Sequence, residues 1–134
     1  MTFVRSLLEY ADVTWDNMSM SLNKKIENVQ LEASRIVTGG TRLVSLNSLY
    51  METGWEKLKD RREKYKLVQF YKMTKNVTPH YINCLVQQTF ANIHDYNTRN
   101  ASALPVVRTR TSFYYNSFIP SSVRLWNLQR IILD

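Results

Sequence analysis

Residues 54–75, GWEKLKDRREKYKLVQFYKMTK, decide the predicted fold, because no other stretch of the chain carries a longer helical pattern. The pattern predicts an amphipathic helix over 56–74 whose apolar face packs against a preceding helix over 22–37. The residues expected on that face are Leu58, Tyr65, Val68, Phe70 and Tyr71. The other surface would carry Lys57, Lys59, Arg61, Arg62, Lys64, Lys66, Lys72 and Lys75. This helix offers no catalytic group.

Apolar residues before this stretch predict three more helices. The first, over 3–10, begins without a capping residue, and Trp15 follows it in an expected turn. Ser21 is the expected cap of the helix over 22–37, which Gly39-Gly40 would stop. Its expected buried face consists of Leu22, Ile26, Val29, Ala33, Ile36 and Val37. Ser45 is expected to start a short helix that ends at Gly54.

The remainder of the chain is less regular. Thr78 and Pro79 predict the start of a short helix that runs through Leu85. Residues 87–110 lose the helical periodicity and are expected to be loop or extended chain. An aromatic cluster follows, which is expected either to enter the core or to stack on bases; it consists of Phe113, Tyr114, Tyr115, Phe118 and Ile119. Pro120 would open a last helix that carries Val123, Leu125, Trp126 and Leu128.

These patterns predict a mainly α protein, a small helical bundle of about five or six helices with an irregular or extended stretch before the last one. A length of 134 residues with 44% hydrophobic residues suits a single domain with a modest core. Its expected parts are a helical part over 1–86, an irregular part over 87–112, and the aromatic cluster with the terminal helix over 113–134.

The charge of the chain favours polyanionic partners. Eighteen Lys and Arg against eleven Asp and Glu give a formal net charge of +7. Surface charge that only maintains solubility is the alternative. The single Cys84 allows no internal disulfide and fits a reducing compartment. No apolar run approaches the length of a membrane span. We therefore expect no membrane partner and an intracellular location, cytoplasmic or nuclear.

The motifs of enzymes are incomplete in this sequence. Tyr10-Ala11-Asp12-Val13 resembles the Tyr-x-Asp-Asp turn of polymerases, but it has one carboxylate where a two-metal clamp needs two. His80 and Cys84 stand four residues apart and could share a helix face, yet the chain offers no four-ligand zinc set around them. No Gly-rich phosphate loop and no nucleophile motif occur. We expect no enzyme activity, and no catalytic residue, metal, cofactor or small-molecule substrate.

Cations near aromatic residues are the remaining signal. Cations neutralise phosphate and aromatic rings stack on unpaired bases, so this combination suits nucleic acid. The candidate contacts are Lys57, Lys59, Arg61, Arg62, Lys66, Arg108, Arg110 and Arg124. The alternative for Arg61 and Arg62 is pairing with nearby carboxylates on a solvated face.

Five motifs in order resemble one known family. VRSLLEYADVTWD at 4–16 is followed by KIENVQ at 25–30 and by GWEKL at 54–58 with Arg61-Arg62. FYK at 70–72 with PHY at 79–81, and then SFIP at 117–120 with RLWNL at 124–128, complete the series. This order resembles the segment that follows the polymerase domain in reverse transcriptases of non-LTR (LINE-type, jockey-like) retrotransposons. This sequence departs from the family's patterns at Val13, Lys57 and Gln129, where the family usually has proline.

The resemblance implies a fragment that lies C-terminal to a missing polymerase domain and does not polymerise by itself. Its implied role is to bind template RNA or an RNA–DNA hybrid beside the catalytic domain of the parent RNA-directed DNA polymerase. Two alternatives remain open at this point. The chain could be a helical protein-interaction module that docks on the polymerase domain, or a decayed retroelement remnant without activity.

Overall fold

The computed structural model describes residues 2–93 and 101–133. This part of the chain contains nine helices and no strand, which confirms the mainly α class. The helices are α1 (Thr2–Glu9), α2 (Asp12–Trp15), α3 (Met20–Thr38), α4 (Leu46–Thr53), α5 (Leu58–Thr74), α6 (His80–Asn83), α7 (Phe90–Ile93), α8 (Ser112–Asn116) and α9 (Phe118–Leu133). Within these described residues, none of the helices has the length and apolar character needed to cross a membrane.

The chain forms two compact units, residues 1–64 and 65–134, and the boundary falls inside α5. Each unit has its own packing. The prediction of a single helical domain over 1–134 stays a prediction.

In the first unit, local chemistry sets the ends of α3 and α4. The Ser19 hydroxyl accepts a hydrogen bond from the Leu22 amide, so the cap is Ser19 and the expectation of Ser21 was wrong by two residues. Gly39, at φ 69°, ends α3 in the left-handed conformation, as predicted. The predicted Ser45 cap of α4 is confirmed, because its hydroxyl accepts from the Ser48 amide at 3.2 Å.

Trp15 does not lie in the turn that the sequence predicted. It is the last residue of α2, a single helical turn that follows Ala11 in the left-handed conformation. The indole Nε1 donates to the Tyr10 carbonyl at 2.7 Å, which fixes the ring beside the end of α1. Asp12 therefore begins a helical turn, whereas Asp16 and Asn17 lie in the irregular residues 16–19 that separate α2 from α3.

The face of α3 that packs inside its unit differs from the predicted one. Gln30, Leu31 and Ser34 are buried, and polar partners make this possible. The Gln30 side chain, for example, donates to the Glu56 carbonyl at 2.9 Å. The predicted face is mostly open to solvent: Leu22, Val29, Ile36 and Val37 are exposed, and Ile26 and Ala33 are half-buried.

The buried face of α5 also differs from the prediction. Leu58 and Phe70 are buried as expected, but Tyr65, Val68 and Tyr71 are exposed. The buried row is Leu58, Arg62, Lys66, Phe70 and Met73, at intervals of four, four, four and three residues. Lysine and arginine have long aliphatic stems that can pack in a core while the charged group finds a polar partner. Two cations therefore occupy positions that the sequence pattern assigned to solvent.

In the second unit, Phe70, Leu104 and Val123 form the core. The partly buried residues that pack on it are Val86, Phe118, Ile119 and Trp126. The Trp126 ring meets Phe70 edge-on at 5.7 Å and stacks on Tyr71 at 6.2 Å between centroids. The last helix begins at Phe118, two residues before the predicted start. Pro120 is tolerated there because the first-turn amides of a helix have no intrahelical acceptor.

The stretch before the last helix is only partly irregular. It contains α7 and α8, so the expectation of loop or extended chain over 87–110 was wrong for Phe90–Ile93. Residues 94–100 of this stretch, including His94, lie outside the described residues. Residues 104–109 have no regular secondary structure, as predicted.

Candidate nucleic-acid interface

Arg61 and Arg62 hold elements of the first unit together. Arg61 pairs with Glu9 of α1 at 2.6 Å and donates to the Gln30 side chain of α3, also at 2.6 Å. Arg62 lies 3.2 Å from Asp16 and donates to the Asn23 side chain at 2.9 Å. Its side chain is 5% exposed, so it is closed to a phosphate group. Both arginines pair with carboxylates, but the partners are distant in sequence and the arginines are largely buried, so the alternative of nearby partners on a solvated face was wrong in these two respects.

Arg62 also stacks on an aromatic ring. Its guanidinium lies 5.5 Å from the centre of the Trp15 ring, close enough for a cation–π contact. Arginine suits this position because its planar group can pair with a carboxylate and stack on an indole at once. Trp15, which the sequence predicted to lie in a turn, is thus part of the packing around the start of α5.

Asp12 is buried beside this group. The Val13 amide donates to its Oδ1 at 2.7 Å, while Oδ2 accepts no hydrogen bond from the described residues. Burial raises the pKa of Asp12, and the nearby carboxylates of Glu9 and Asp16 raise it further. The Val13 amide and the charge of Arg62 act in the opposite direction, but burial has the largest effect.

Lys57, Lys59 and Lys66 differ in their access to solvent. Lys57 and Lys59 are exposed at the start of α5, and Lys59 approaches Glu63 only loosely, at 3.9 Å. Lys66 is 5% exposed. Of the five candidate contacts on or near α5, the two that a phosphate group can reach freely are therefore Lys57 and Lys59.

The second unit presents its candidate cations beside exposed aromatic rings. Arg108 and Arg110 are exposed in the segment that leads into α8. The Thr111 hydroxyl caps α8 by accepting from the Tyr114 amide at 3.2 Å. This short helix presents Phe113, Tyr114 and Tyr115, which are 76%, 46% and 47% exposed. These rings do not enter the core, whereas Phe118 and Ile119 pack on it.

Arg124 of α9 completes this surface. Its guanidinium lies 3.6 Å from the centre of the Tyr115 ring, in the geometry of a stacked cation–π pair. Arg124 is half-buried, so its positive charge lies at the edge of the surface, beside the Tyr115 ring. We call Arg108, Arg110, Phe113, Tyr114, Tyr115 and Arg124 the basic–aromatic surface.

His80 and Cys84 meet as their spacing predicted, with Sγ 3.4 Å from Nδ1, and both are exposed on or beside α6. Among the residues that the structure describes, no three His, Cys, Asp or Glu side chains gather in a way that could hold a metal ion. The pair is therefore a local contact within one helical turn.

Sequence reasoning missed Glu27, a polar residue that positions the start of α5. Glu27 of α3 accepts hydrogen bonds from the Tyr50 hydroxyl and from the Leu58 amide, where it caps α5 from a distance. Burial raises the pKa of Tyr50, and its bond to Glu27 adds to the effect. In the sequence, Glu27 stood out only as part of the KIENVQ motif and as a neighbour of the apolar row of α3. No local motif indicated a partner 31 residues away.

The fold and the surface define a mainly α-helical protein with a basic–aromatic surface in its second unit. No protein family, curated protein or solved structure matches the chain in sequence or fold comparisons.

Proposed function

We propose that this chain is a non-catalytic nucleic-acid-binding module and that its basic–aromatic surface contacts unpaired bases. The resemblance to non-LTR retrotransposon reverse transcriptases supplies the context of this proposal. In the parent RNA-directed DNA polymerase, the module would lie beside the catalytic domain and hold template RNA or the RNA–DNA hybrid.

The observation that carries the proposal is the exposure of three consecutive aromatic side chains beside two exposed arginines. Exposed aromatic rings are costly in a soluble protein unless a partner covers them. Unpaired bases present flat apolar faces next to phosphates, so they match a surface that combines exposed rings with cations. Double-stranded nucleic acid keeps its bases stacked internally, so the rings would contact unpaired template RNA, and an RNA–DNA hybrid would be held through its phosphates by the cations.

The net charge of +7 supports the same class of partner. The contacts nevertheless fall on a subset of the cations, because Arg61, Arg62 and Lys66 are taken up by the packing of the protein. Lys57 and Lys59 form a second exposed group that can add phosphate contacts. The strongest contribution is expected from Arg108 and Arg110, since both are exposed and lie in the segment that leads into the exposed rings of α8.

Fluorescence anisotropy with a labelled single-stranded RNA and its duplex, titrated over a range of salt, tests the proposal. We expect tighter binding to the single strand and a steep loss of affinity with salt. The slope of log K against log salt is negative, and the double variant Arg108→Gln/Arg110→Gln should make it less steep by about 1.4. This is the value for two lost phosphate contacts on a single strand.

A matched variant separates specific contacts from general charge. Lys24→Gln/Arg42→Gln removes the same charge from two exposed positions of the first unit and should leave the slope almost unchanged. An equal reduction of the slope in both variants would mean that RNA binding depends on net charge alone. An absence of binding at low salt would refute the proposal.

A further inference from the structure

The outer side of α3 carries an apolar row of five residues, of which three are exposed and two, Ile26 and Ala33, are half-buried. Leu22, Ile26, Val29, Ala33 and Ile36 follow one another at intervals of four, three, four and three residues. Leu22 and Val29 are about half exposed, and Ile36 is 82% exposed. The buried residues Gln30, Leu31 and Ser34 lie on a neighbouring face of the same helix. The row therefore lies beside the packed face and is open to a partner.

The spacing of the row indicates the shape of that partner. Alternating intervals of three and four average 3.5 residues, which is the repeat of a seam between two helices that wrap around each other. The row spans about four turns, or roughly 21 Å, at ~1.5 Å per residue. A helix with an apolar row of the same repeat fits this seam along its whole length.

The arrangement of the row around Val29 indicates that a second copy of α3 can supply this helix. Leu22 and Ile36 lie seven residues before and seven residues after Val29. In an antiparallel pair centred on Val29, Leu22 of each copy lies opposite Ile36 of the other, and Val29 meets its own counterpart. Ile26 then lies opposite Ala33, so a large side chain meets a small one.

The charges beside the row complement each other in the same alignment. Lys25 lies four residues before Val29 and Glu32 lies three residues after it, so each lysine would face the glutamate of the other copy. Both residues are exposed. Glu32 already bonds Arg35 of its own helix through Oε1, and a carboxylate can accept from a second cation. A parallel alignment would instead direct Lys25 towards Gln30, which is buried.

We propose that α3 is a dimerisation helix, and that two copies of the chain pair antiparallel through this apolar row. The inference is independent of nucleic-acid binding, because the row belongs to the first unit and contains no residue of the basic–aromatic surface.

Sedimentation velocity over a concentration series tests the pairing on the full chain. We expect a reversible monomer–dimer equilibrium. Ile36→Glu should weaken the dimer at least tenfold, about the cost of losing an interface anchor. Asn28→Glu adds the same charge to an exposed position of α3 outside the row and should leave the equilibrium unchanged. Because Ile36 is largely exposed, the far-ultraviolet circular dichroism of both variants should match that of the parent.

Disulfide trapping tests the alignment. In a Cys84→Ser background, Val29→Cys should form a dimer under mild oxidation. Ile36→Cys alone should not, but it should cross-link when mixed with Leu22→Cys. Lys25→Glu should weaken the dimer, and Lys25→Glu/Glu32→Lys should restore it.

A chain that stays monomeric at every concentration would overturn the inference. So would a dimer that Ile36→Glu leaves intact, or one in which Val29→Cys does not cross-link. Binding of the row to an upstream polymerase domain by a monomeric chain would assign the row to a different partner, and would also overturn it. In each of these cases RNA binding by the basic–aromatic surface could remain unchanged.

Discussion

The side chain of Asn127 bonds both backbone groups of Leu104. Its Nδ2 donates to the Leu104 carbonyl at 2.9 Å, and its Oδ1 accepts from the Leu104 amide at 3.2 Å. The side-chain amide of Asn127 thereby gives the backbone of Leu104, which has no regular secondary structure, the two hydrogen bonds that a neighbouring strand would supply. Since Leu104 is buried in the core of the second unit, this pair fixes the segment that carries Arg108 and Arg110.

Asn127→Ala should lower the free energy of unfolding by about 2 kcal/mol, because two buried backbone groups lose their partner. Urea denaturation followed by tryptophan fluorescence measures this loss. Hydrogen exchange should also show faster exchange at the Leu104 amide. Gln129→Ala, at an exposed position of the same helix, is the control and should change stability little. Slow exchange at Leu104 in Asn127→Ala would contradict the assignment.

Arg62→Met should destabilise the protein by about 3 kcal/mol, because Asp16 would lose its charged partner in a poorly solvated position. Urea denaturation is again the measurement. Lys59→Met removes the cation of a loose, exposed pair and should change stability by less than about 0.5 kcal/mol. If both variants lost the same stability, Arg62 would not be the structural residue that its burial indicates.

Asp12→Asn should make the protein more resistant to urea at pH 7. The pKa of Asp12 is raised in the folded state, so the unfolded chain gives up this proton more readily. The contribution of Asp12 is therefore most favourable below its ordinary pKa of 3.8, and declines as pH rises through the folded-state pKa. Asparagine stays neutral and avoids this loss.

The gain from Asp12→Asn should shrink as the pH falls towards 3, where the aspartate itself is neutral. Glu9 and Asp16 disfavour its charge and Arg62 favours it, so the result measures their balance. Glu52→Gln, on the exposed side of α4, should show no such pH dependence. A variant less stable than the parent at pH 7 would mean that Arg62 compensates the buried charge fully.

Phe113→Leu should weaken binding to single-stranded RNA about fivefold or more, the lower bound for one lost base stack. Phe113→Tyr keeps an aromatic ring and should bind like the parent. Anisotropy at a single salt concentration is sufficient, because neither change alters charge. Equal affinities of the leucine and tyrosine variants would show that the ring does not stack on a base.

Local chemistry made much of the helical outline predictable. Ser45, Gly39 and Gly54 act where the sequence placed them, because a hydroxyl cap or a left-handed glycine needs only its neighbours in the chain. The faces of the helices were not predictable in the same way. Arg62 is buried because Asp16, 46 positions earlier, pairs with it, and no periodicity of α5 contains that information.

The basic–aromatic surface was predictable in composition but not in exposure. Phe113 and Phe118 are the same residue type five positions apart, yet the first is exposed and the second packs on the core. Phe113 lies on α8, which Thr111 caps, and Phe118 begins α9 after the break at Ser117, so the two rings belong to different helices.

The cap that Glu27 supplies to α5 also bears on the order of folding. A local cap forms together with its helix, but this one belongs to a helix that begins 38 residues earlier in the chain. During synthesis from the N-terminus, α3 emerges from the ribosome before α5 exists. The acceptor for the Leu58 amide is thus available before the helix that needs it, and the first turn of α5 can be captured as soon as it emerges.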